Sequence, residues 1–348
     1  MKKHLSILAV ISLVALLLGS CGAGEPVENS SNSDAASESQ SAVTSDASVS
    51  AQETEPAESN MPYTFTDSMG HTVTLEEKPE TVAVLFSSFA DLWQLAGGEV
   101  DITVGESVER GFVGDDVLLV DDGAGKTIDN ELLLSYEPDL VIGSSDIEAQ
   151  AETVGLCADA GIPAAGFRVE SFEDYLSVLS ILTEITGDHD AYQQNGEEVG
   201  ARIEQMLSDL DFSEKGYDIL FIRAGSQYSS TKAKGTEDNF VCGMLAELGL
   251  HNIADDAPVL LDGLSLEEII TADPDYIFIS TMGNEDAAKE YMESVFAEDG
   301  YRQLTAVAEG NYAFLPKDLL QFKPNARWDE AYQYLIDLVE TIPDENEG

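Results

Sequence analysis

The segment ELLLSYEPDLVIG at residues 131–143 recurs in a related form, EEIITADPDYIFI, at residues 267–279. In both copies a glutamate precedes a proline by seven positions, and aspartate and an apolar run follow the proline. Each copy predicts a short helix, a proline turn and a buried strand. A helix, a turn and a strand in this order are common in α/β proteins, so the two copies could also belong to one enlarged sheet. The matched spacing favours two similar lobes.

Predicted strands and helices alternate on both sides of these segments. A hairpin over residues 63–75 comes first, and near-continuous apolar runs of the kind buried in parallel sheets follow it. Strands are predicted at 81–86, 100–104, 117–120, 139–143, 163–168, 217–223, 275–280 and 311–315. Helices are predicted at 89–96, 147–160, 238–248, 265–271, 286–296 and 325–340. This alternation indicates an α/β fold.

Two helical patterns interrupt the alternation, at residues 171–186 and 188–210, with Gly187 between them and no strand. The second would span roughly 35 Å at 1.5 Å per residue, enough to leave one domain and enter another. We therefore predict two Rossmann-like lobes joined by a single long α-helix. The lobes would occupy residues 61–187 and 213–348, and the linking helix residues 188–212.

The N-terminus has the features of an export signal over residues 1–20. Lys2 and Lys3 precede an apolar run, residues 5–18, that is shorter than the roughly 20 residues of a membrane-spanning helix. Residues 22–60 contain ten Ser, eight Asp or Glu, and no Lys, Arg or aromatic residue. Such a composition cannot bury enough apolar surface to fold, so residues 21–60 should act as a disordered acidic tether.

Charge and cysteine content exclude several functions. The 348 residues include 67 Asp and Glu but 16 Lys and Arg, giving a formal net charge of −51, which opposes binding to nucleic acid. Three widely spaced cysteines support neither a disulfide scaffold nor a zinc cluster, and we expect Cys157 and Cys242 to be buried free thiols. GAGKT at 123–127 imitates a phosphate-binding loop, but Val120 stands where that motif needs glycine.

The combination of these features resembles the substrate-binding lipoproteins of ABC importers. LGSC at 18–21 resembles a bacterial lipobox, and DSMGHTVTL at 67–75, KPETV at 78–82, the paired Glu-x6-Pro-Asp segments and the long helix complete the pattern. More narrowly, the chain is similar to the periplasmic binding proteins with a rigid linking helix that take up ferric siderophores, vitamin B12 and haem. The resemblance covers about residues 63–340.

This resemblance implies cleavage before Cys21 and lipid attachment to its sulfur. The protein would then be anchored in the cell membrane, facing the extracellular or periplasmic side. It also implies an ABC permease and its ATPase as partners, with Glu131 and Glu267 docking to permease arginines; each glutamate could instead merely favour a helix N-terminal turn. We expect a monomer, no cofactor and no catalysis. An extracytoplasmic enzyme or metal chaperone on a similar fold is the alternative.

The ligand should lie at the C-terminal ends of the strands, where the two lobes face each other. At these strand ends, arginine suits the anionic oxygens of a ligand and aromatic side chains suit a flat ligand. As alternatives, serines that follow a strand could simply cap the next helix, and the cations could form salt bridges within the chain. Siderophore, haem and corrinoid all stay open, with the cations favouring an anionic ferric siderophore. The predicted contacts are Ser87, Ser88, Phe89, Ser144, Ser145, Arg168, Arg223, Tyr228, Met282, Lys323 and Arg327. The four histidines lie in separate segments of the sequence, which argues against a bare-metal site.

Overall fold

A computed structural model describes residues 61–121, 127–210 and 212–342. The signal, Cys21 and the tether lie outside these residues, as does most of the segment GAGKT. The described chain begins with the predicted hairpin, formed by antiparallel strands β1 (Tyr63–Thr66) and β2 (Thr72–Leu75). The buried Asp67 carboxylate accepts hydrogen bonds from the backbone N–H groups of Met69, His71 and Gly166. Asp67 thus fixes the hairpin turn and attaches it to the first sheet.

The first sheet confirms the five strands predicted in this half; four are shorter than predicted, and the strand predicted at 139–143 is shifted by one residue to 140–144. All neighbours are parallel, in the order β5-β4-β3-β6-β7. The strands are β3 (Val82–Val84), β4 (Ile102–Thr103), β5 (Leu118–Leu119), β6 (Leu140–Ser144) and β7 (Ala164–Phe167). The helices between them are α1 (Ser87–Leu95), α2 (Gly105–Glu109), α3 (Asn130–Ser135) and α4 (Glu148–Asp159).

The second sheet contains the three predicted strands and two that sequence reasoning missed. Its parallel strands run in the order β10-β8-β11-β12, and the short β9 pairs antiparallel with β8. The strands are β8 (Asp218–Ala224), β9 (Lys232–Ala233), β10 (His251–Asn252), β11 (Tyr276–Thr281) and β12 (Tyr312–Phe314). The two-residue strands β9 and β10 are too short to produce an alternating pattern.

Eight helices surround these strands, and the last of them ends near the end of the described residues. Short 3-10 turns occur at Tyr228–Ser230, Tyr301–Gln303 and Asn325–Arg327. In chain order after the segment between the sheets, the helices are α8 (Phe240–Glu247), α9 (Ile253–Asp256), α10 (Val259–Asp262), α11 (Leu266–Ala272), α12 (Glu285–Phe296), α13 (Thr305–Glu309), α14 (Lys317–Leu320) and, last, α15 (Trp328–Val339).

The repeated sequence segments adopt the same backbone features in both sheets. The residue before each proline has positive φ, 50° at Glu137 and 44° at Asp273. The aspartate after each proline binds the start of the neighbouring strand: Asp139 accepts from the Thr81 backbone N–H at 2.9 Å, and Asp275 from that of Asp218 at 2.7 Å. The two halves of the chain are therefore similar units.

Between the sheets lie α5 (Phe172–Thr186) and a second helical stretch made of α6 (His189–Tyr192), a π turn (Gln193–Glu197) and α7 (Glu198–Asp209). Near its start, the Asn195 side chain donates to the Leu95 carbonyl, in the first half of the chain. Farther along, Arg202 pairs with Asp329 on α15, and the Phe212 N–H then donates to the Leu248 carbonyl. The helical stretch thus contacts elements of both halves.

The largest apolar cluster of the described residues joins the two sheets, and two smaller clusters lie one in each half. The largest cluster includes Val84 and Phe167 from the first sheet and Phe221 and Phe278 from the second. At the junction, the fully buried Trp328 ring packs edge-on against Phe172 at 6.1 Å and Phe240 at 5.6 Å between centroids. The two sheets consequently share buried apolar surface. Within the described residues, no helix has both the length and the apolar character needed to cross a membrane.

Candidate ligand-binding cleft

A cleft of about 670 Å³ opens between the two halves of the chain. Its volume lies within the range of small-molecule and cofactor sites. Residues from α1 and the α2 region form one wall, and residues around α12 and from Pro316 onward form the other. The lining residues are Asp91, Arg110, Phe112, Glu285, Pro316, Lys317, Asp318, Phe322, Lys323, Pro324 and Arg327.

Arg110, which directly follows α2, is a cation of the cleft that contacts on several sides hold in place. Its guanidinium lies 4.5 Å from the Phe112 ring centroid and 3.9 Å from that of Phe322, so two aromatic rings flank it. One of its nitrogens donates to the Ser87 and Ser88 hydroxyls at 2.9 and 3.0 Å. Burial lowers the pKa of Arg110, but a guanidinium stays charged in proteins. Sequence reasoning missed Arg110, because no motif marks it.

The predicted contacts at the start of α1 lie behind Arg110. Ser87 and Ser88 are fully buried, and the Ser87 hydroxyl donates to the Glu106 carboxylate. Phe89 is 2% exposed and packs edge-on against Phe86 and Phe167. In this arrangement the serines orient Arg110, and Phe89 belongs to the core.

Asn325 fixes the segment before α15 against α1. It is 1% exposed, has positive φ, and donates to the Ser88 carbonyl at 2.8 Å and to the Asp91 carboxylate at 2.7 Å. Burial raises the pKa of Asp91, and the hydrogen bond from Asn325 opposes this shift. Asn325 therefore sets the position of Lys323, two residues before it, and of Arg327, two residues after it, relative to the first half of the chain.

Three further cations line the cleft on the wall formed by the second half. Lys323 pairs with Glu170 at 2.8 Å and lies 4.7 Å from the Phe240 ring centroid; burial lowers its pKa, and Glu170 opposes the shift. Arg327 pairs with two carboxylates, at 3.0 and 2.9 Å. Lys317 donates to the Gly283 carbonyl at 2.9 Å. Lys323 and Arg327 were predicted from the sequence, and Lys317 was not.

A smaller pocket of about 170 Å³ adjoins the cleft, since Lys323 lines both. The predicted Arg223 lines it at the C-terminal end of β8, opposite Ser280 on the neighbouring strand β11. We call it the side pocket; its lining is Glu170, Arg223, Asp238, Asn239, Phe240, Ser280, Gln321 and Lys323.

The other predicted contacts lie outside both cavities. Arg168 pairs with Asp146 at 3.0 Å and lines a separate depression of about 120 Å³. Tyr228 is 63% exposed, and its hydroxyl lies beside Gly263. Ser144 and Ser145 make local hydrogen bonds at the end of β6, and Met282 donates through its backbone to Ala224.

The two glutamates of the repeat occupy equivalent places. Glu131 lies in the first turn of α3 and Glu267 in the first turn of α11, and both are exposed. Neither has an ion-pair partner within the described residues. Both are accessible to a partner protein.

No group of three or more His, Cys, Asp or Glu in the described part of the chain is arranged to hold a metal ion. Cys157 and Cys242 are buried free thiols, as predicted, and burial raises the pKa of each.

Two similar α/β units around a charged cleft define a solute-binding protein, and the comparisons with known proteins agree. The periplasmic binding protein family model matches residues 82–319, so this chain belongs to that family. This membership supports binding and not catalysis, against the enzyme alternative. A search of curated proteins found no match.

Solved structures share the fold at low identity. A possible iron-binding periplasmic solute-binding protein from Staphylococcus epidermidis is 17% identical, with a TM-score of 0.62 over 76% of this chain and 99% of that one. The catecholate-siderophore binding protein VctP from Vibrio cholerae is 17% identical, with a TM-score of 0.61 over 80% and 99%. The haem-binding protein RhuT from Roseiflexus is 19% identical, with a TM-score of 0.60 over 76% and 99%.

Proposed function

We propose that this protein is a lipid-anchored receptor of an ABC importer that captures an anionic metal chelate, a ferric siderophore in the first place, and delivers it to the permease. The observation that carries the proposal is the cleft of about 670 Å³ lined by Arg110, Lys317, Lys323 and Arg327. These are four of the 16 basic residues in a chain of net charge −51. Solved relatives that bind siderophores or haem support this ligand class.

The charge distribution gives these cations a specific role. A strongly acidic surface repels anions at long range, so an anionic ligand needs local cations that are already in place. Arg110 meets this need, because aromatic rings hold its guanidinium and leave part of its donor fork available. The shared core restricts relative movement of the two sheets, so the cleft should bind its ligand largely pre-formed.

The exposed Glu131 and Glu267 are proposed to dock to the permease through ion pairs. The double variant Glu131→Ala, Glu267→Ala should keep its ligand affinity and lose uptake in cells. Glu268→Ala is the matched control, since Glu268 is exposed and adjacent to Glu267. Normal uptake by the double variant would exclude this docking role.

Anchoring is proposed to depend on Cys21. Because several acyl chains hold a protein durably on a membrane, Cys21→Ser should move the protein from the membrane fraction into the medium or periplasm. A protein that stays membrane-bound after this substitution would contradict the lipoprotein assignment.

The ligand class is tested by titrating the Cys21→Ser protein with ferric catecholate, hydroxamate and citrate complexes, haemin and cyanocobalamin. Trp93 and Trp328 are buried, at 3% and 0% exposure, so a ligand in the cleft would quench their fluorescence by energy transfer and not by contact. Because this requires a coloured ligand, each fluorescence titration is repeated by calorimetry. We expect saturable submicromolar binding of an anionic ferric chelate. Absence of binding across the panel in both measurements would refute the proposed function.

A further inference from the structure

We propose that the side pocket binds an α-amino carboxylate group, carried on an arm of the chelate whose core occupies the main cleft. The chelate part of this inference rests on the proposed function. The inference follows from the charges and the unmet hydrogen bonds inside the pocket.

The side pocket is electrically balanced, unlike a simple anion site. Arg223 and Lys323 contribute two positive charges, and Glu170 and Asp238 contribute two negative charges. Lys323 and Glu170 satisfy each other through their 2.8 Å ion pair. The charges left to meet a ligand are one cation, Arg223, and one anion, Asp238.

Arg223 has unused donors. It forms no ion pair within the described part of the chain, and Glu170, the carboxylate that acts on it through space, is already paired with Lys323. A guanidinium in this state suits a carboxylate, which it can bind with two parallel hydrogen bonds.

Two other lining residues, Gln321 and Asp238, are acceptors that a hydrogen-bond donor would satisfy. The Gln321 side-chain oxygen is buried and has no hydrogen-bond partner, which costs free energy unless a ligand supplies a donor. Asp238 accepts from the Gly235 N–H at 3.2 Å, and its carboxylate keeps further lone pairs for a ligand. An ammonium group has three donors and would satisfy both residues.

An α-amino carboxylate carries both required groups on one carbon atom, and a pocket of about 170 Å³ has room for it. The position also fits, because the pocket opens at the C-terminal ends of β8 and β11 and shares Lys323 with the main cleft. An arm entering here would leave the iron centre in the cleft near Arg110.

Three small probes test the chemistry by saturation-transfer NMR with the purified protein: L-serine, L-lactate and ethanolamine. Lactate lacks the ammonium group and ethanolamine lacks the carboxylate. We expect serine to bind at least tenfold more tightly than either. Arg223→Gln and Asp238→Asn should each abolish serine binding, and Arg302→Gln, which removes an exposed cation that lines neither cavity, should not change it.

A second comparison tests whether the bound α-amino carboxylate belongs to a chelate. It uses a ferric trihydroxamate with a terminal α-amino carboxylate and the N-acetylated form of the same chelate. We expect the free-amine chelate to bind at least tenfold more tightly and to displace serine. Equal affinity of the two chelates would overturn the chelate-arm assignment. Lactate binding as tightly as serine, or serine binding unchanged in both pocket variants, would overturn the side-pocket assignment while leaving the proposed function intact. Serine binding without binding of any chelate would instead refute the proposed function.

Discussion

Replacing Arg110 by methionine tests whether this cation anchors the ligand. Methionine keeps an unbranched side chain between Phe112 and Phe322, and it removes the charge and the hydrogen bonds to Ser87 and Ser88. Sulfur packs well against aromatic rings, so part of the contact energy is retained. The matched control is Arg302→Met, an exposed arginine that pairs with Asp299 outside the cleft.

The expected loss of affinity follows from one charge-assisted hydrogen bond to the ligand, worth about 1.5–3 kcal/mol. At 1.4 kcal/mol per tenfold change, Kd for an anionic ferric chelate should rise roughly 10- to 150-fold. The two cation–π contacts contribute about 0.5–1 kcal/mol each to stability, so the variant should stay folded.

The assay is calorimetric titration at two ionic strengths with an anionic and a neutral ferric chelate. Removal of the charge should weaken binding of the anionic chelate and reduce the salt dependence of that binding. Binding of the neutral chelate should change little. A folded variant with wild-type Kd for the anionic chelate would refute the role given to Arg110. An equal loss for both ligands would show that the substitution distorts the cleft.

Three further predictions concern the frame around the site. Trp328→Ala should lower the free energy of unfolding by about 3–5 kcal/mol and Tm with it, measured by urea and thermal denaturation; a change below about 1 kcal/mol would contradict its place in the junction. The hydrogen bond to Asp218 is the main reason why the pKa of His251 is raised in the folded protein. Protonated His251 therefore stabilises the fold fully below about pH 6.5, the pKa of histidine in the unfolded chain. This contribution is lost as the pH rises through the pKa of the folded protein. His251→Gln should therefore reduce stability at pH 6, by under 1 kcal/mol for this half-exposed pair, and less at pH 8.5; equal losses at both values would exclude the linkage. Cys157 and Cys242 should react with a thiol reagent only after unfolding, and fast reaction of the native protein would show that they are accessible.

The sequence predicted the fold well because the fold depends on local patterns. Apolar runs gave the parallel strands, and the paired prolines gave the duplication now visible in the backbone at Glu137 and Asp273. The short strands β9 and β10 were missed, because two residues form a strand here only through pairing with β8.

The cleft was harder to predict because distant segments form it. Arg110 gains its place through Phe322, more than 200 positions along the chain, and no local pattern connects them. Ser87 and Ser88 were expected to face the ligand as residues that follow a strand, but α1 begins at Ser87 and both hydroxyls bind Arg110. Lys323 and Arg327, which line the cleft, were predicted because cations are rare in this chain and these two lie at the start of the last helix.

The apolar core shared by both sheets limits how this protein could be engineered as a biosensor. Trp328, between Phe172 and Phe240, couples the halves, so a pair of fluorophores placed on opposite lobes would change separation little when ligand binds. Separate expression of either half would expose the apolar surface that the other half covers, and split-reporter designs would yield aggregating fragments. A single environment-sensitive dye at the rim of the cleft is the design that this architecture allows.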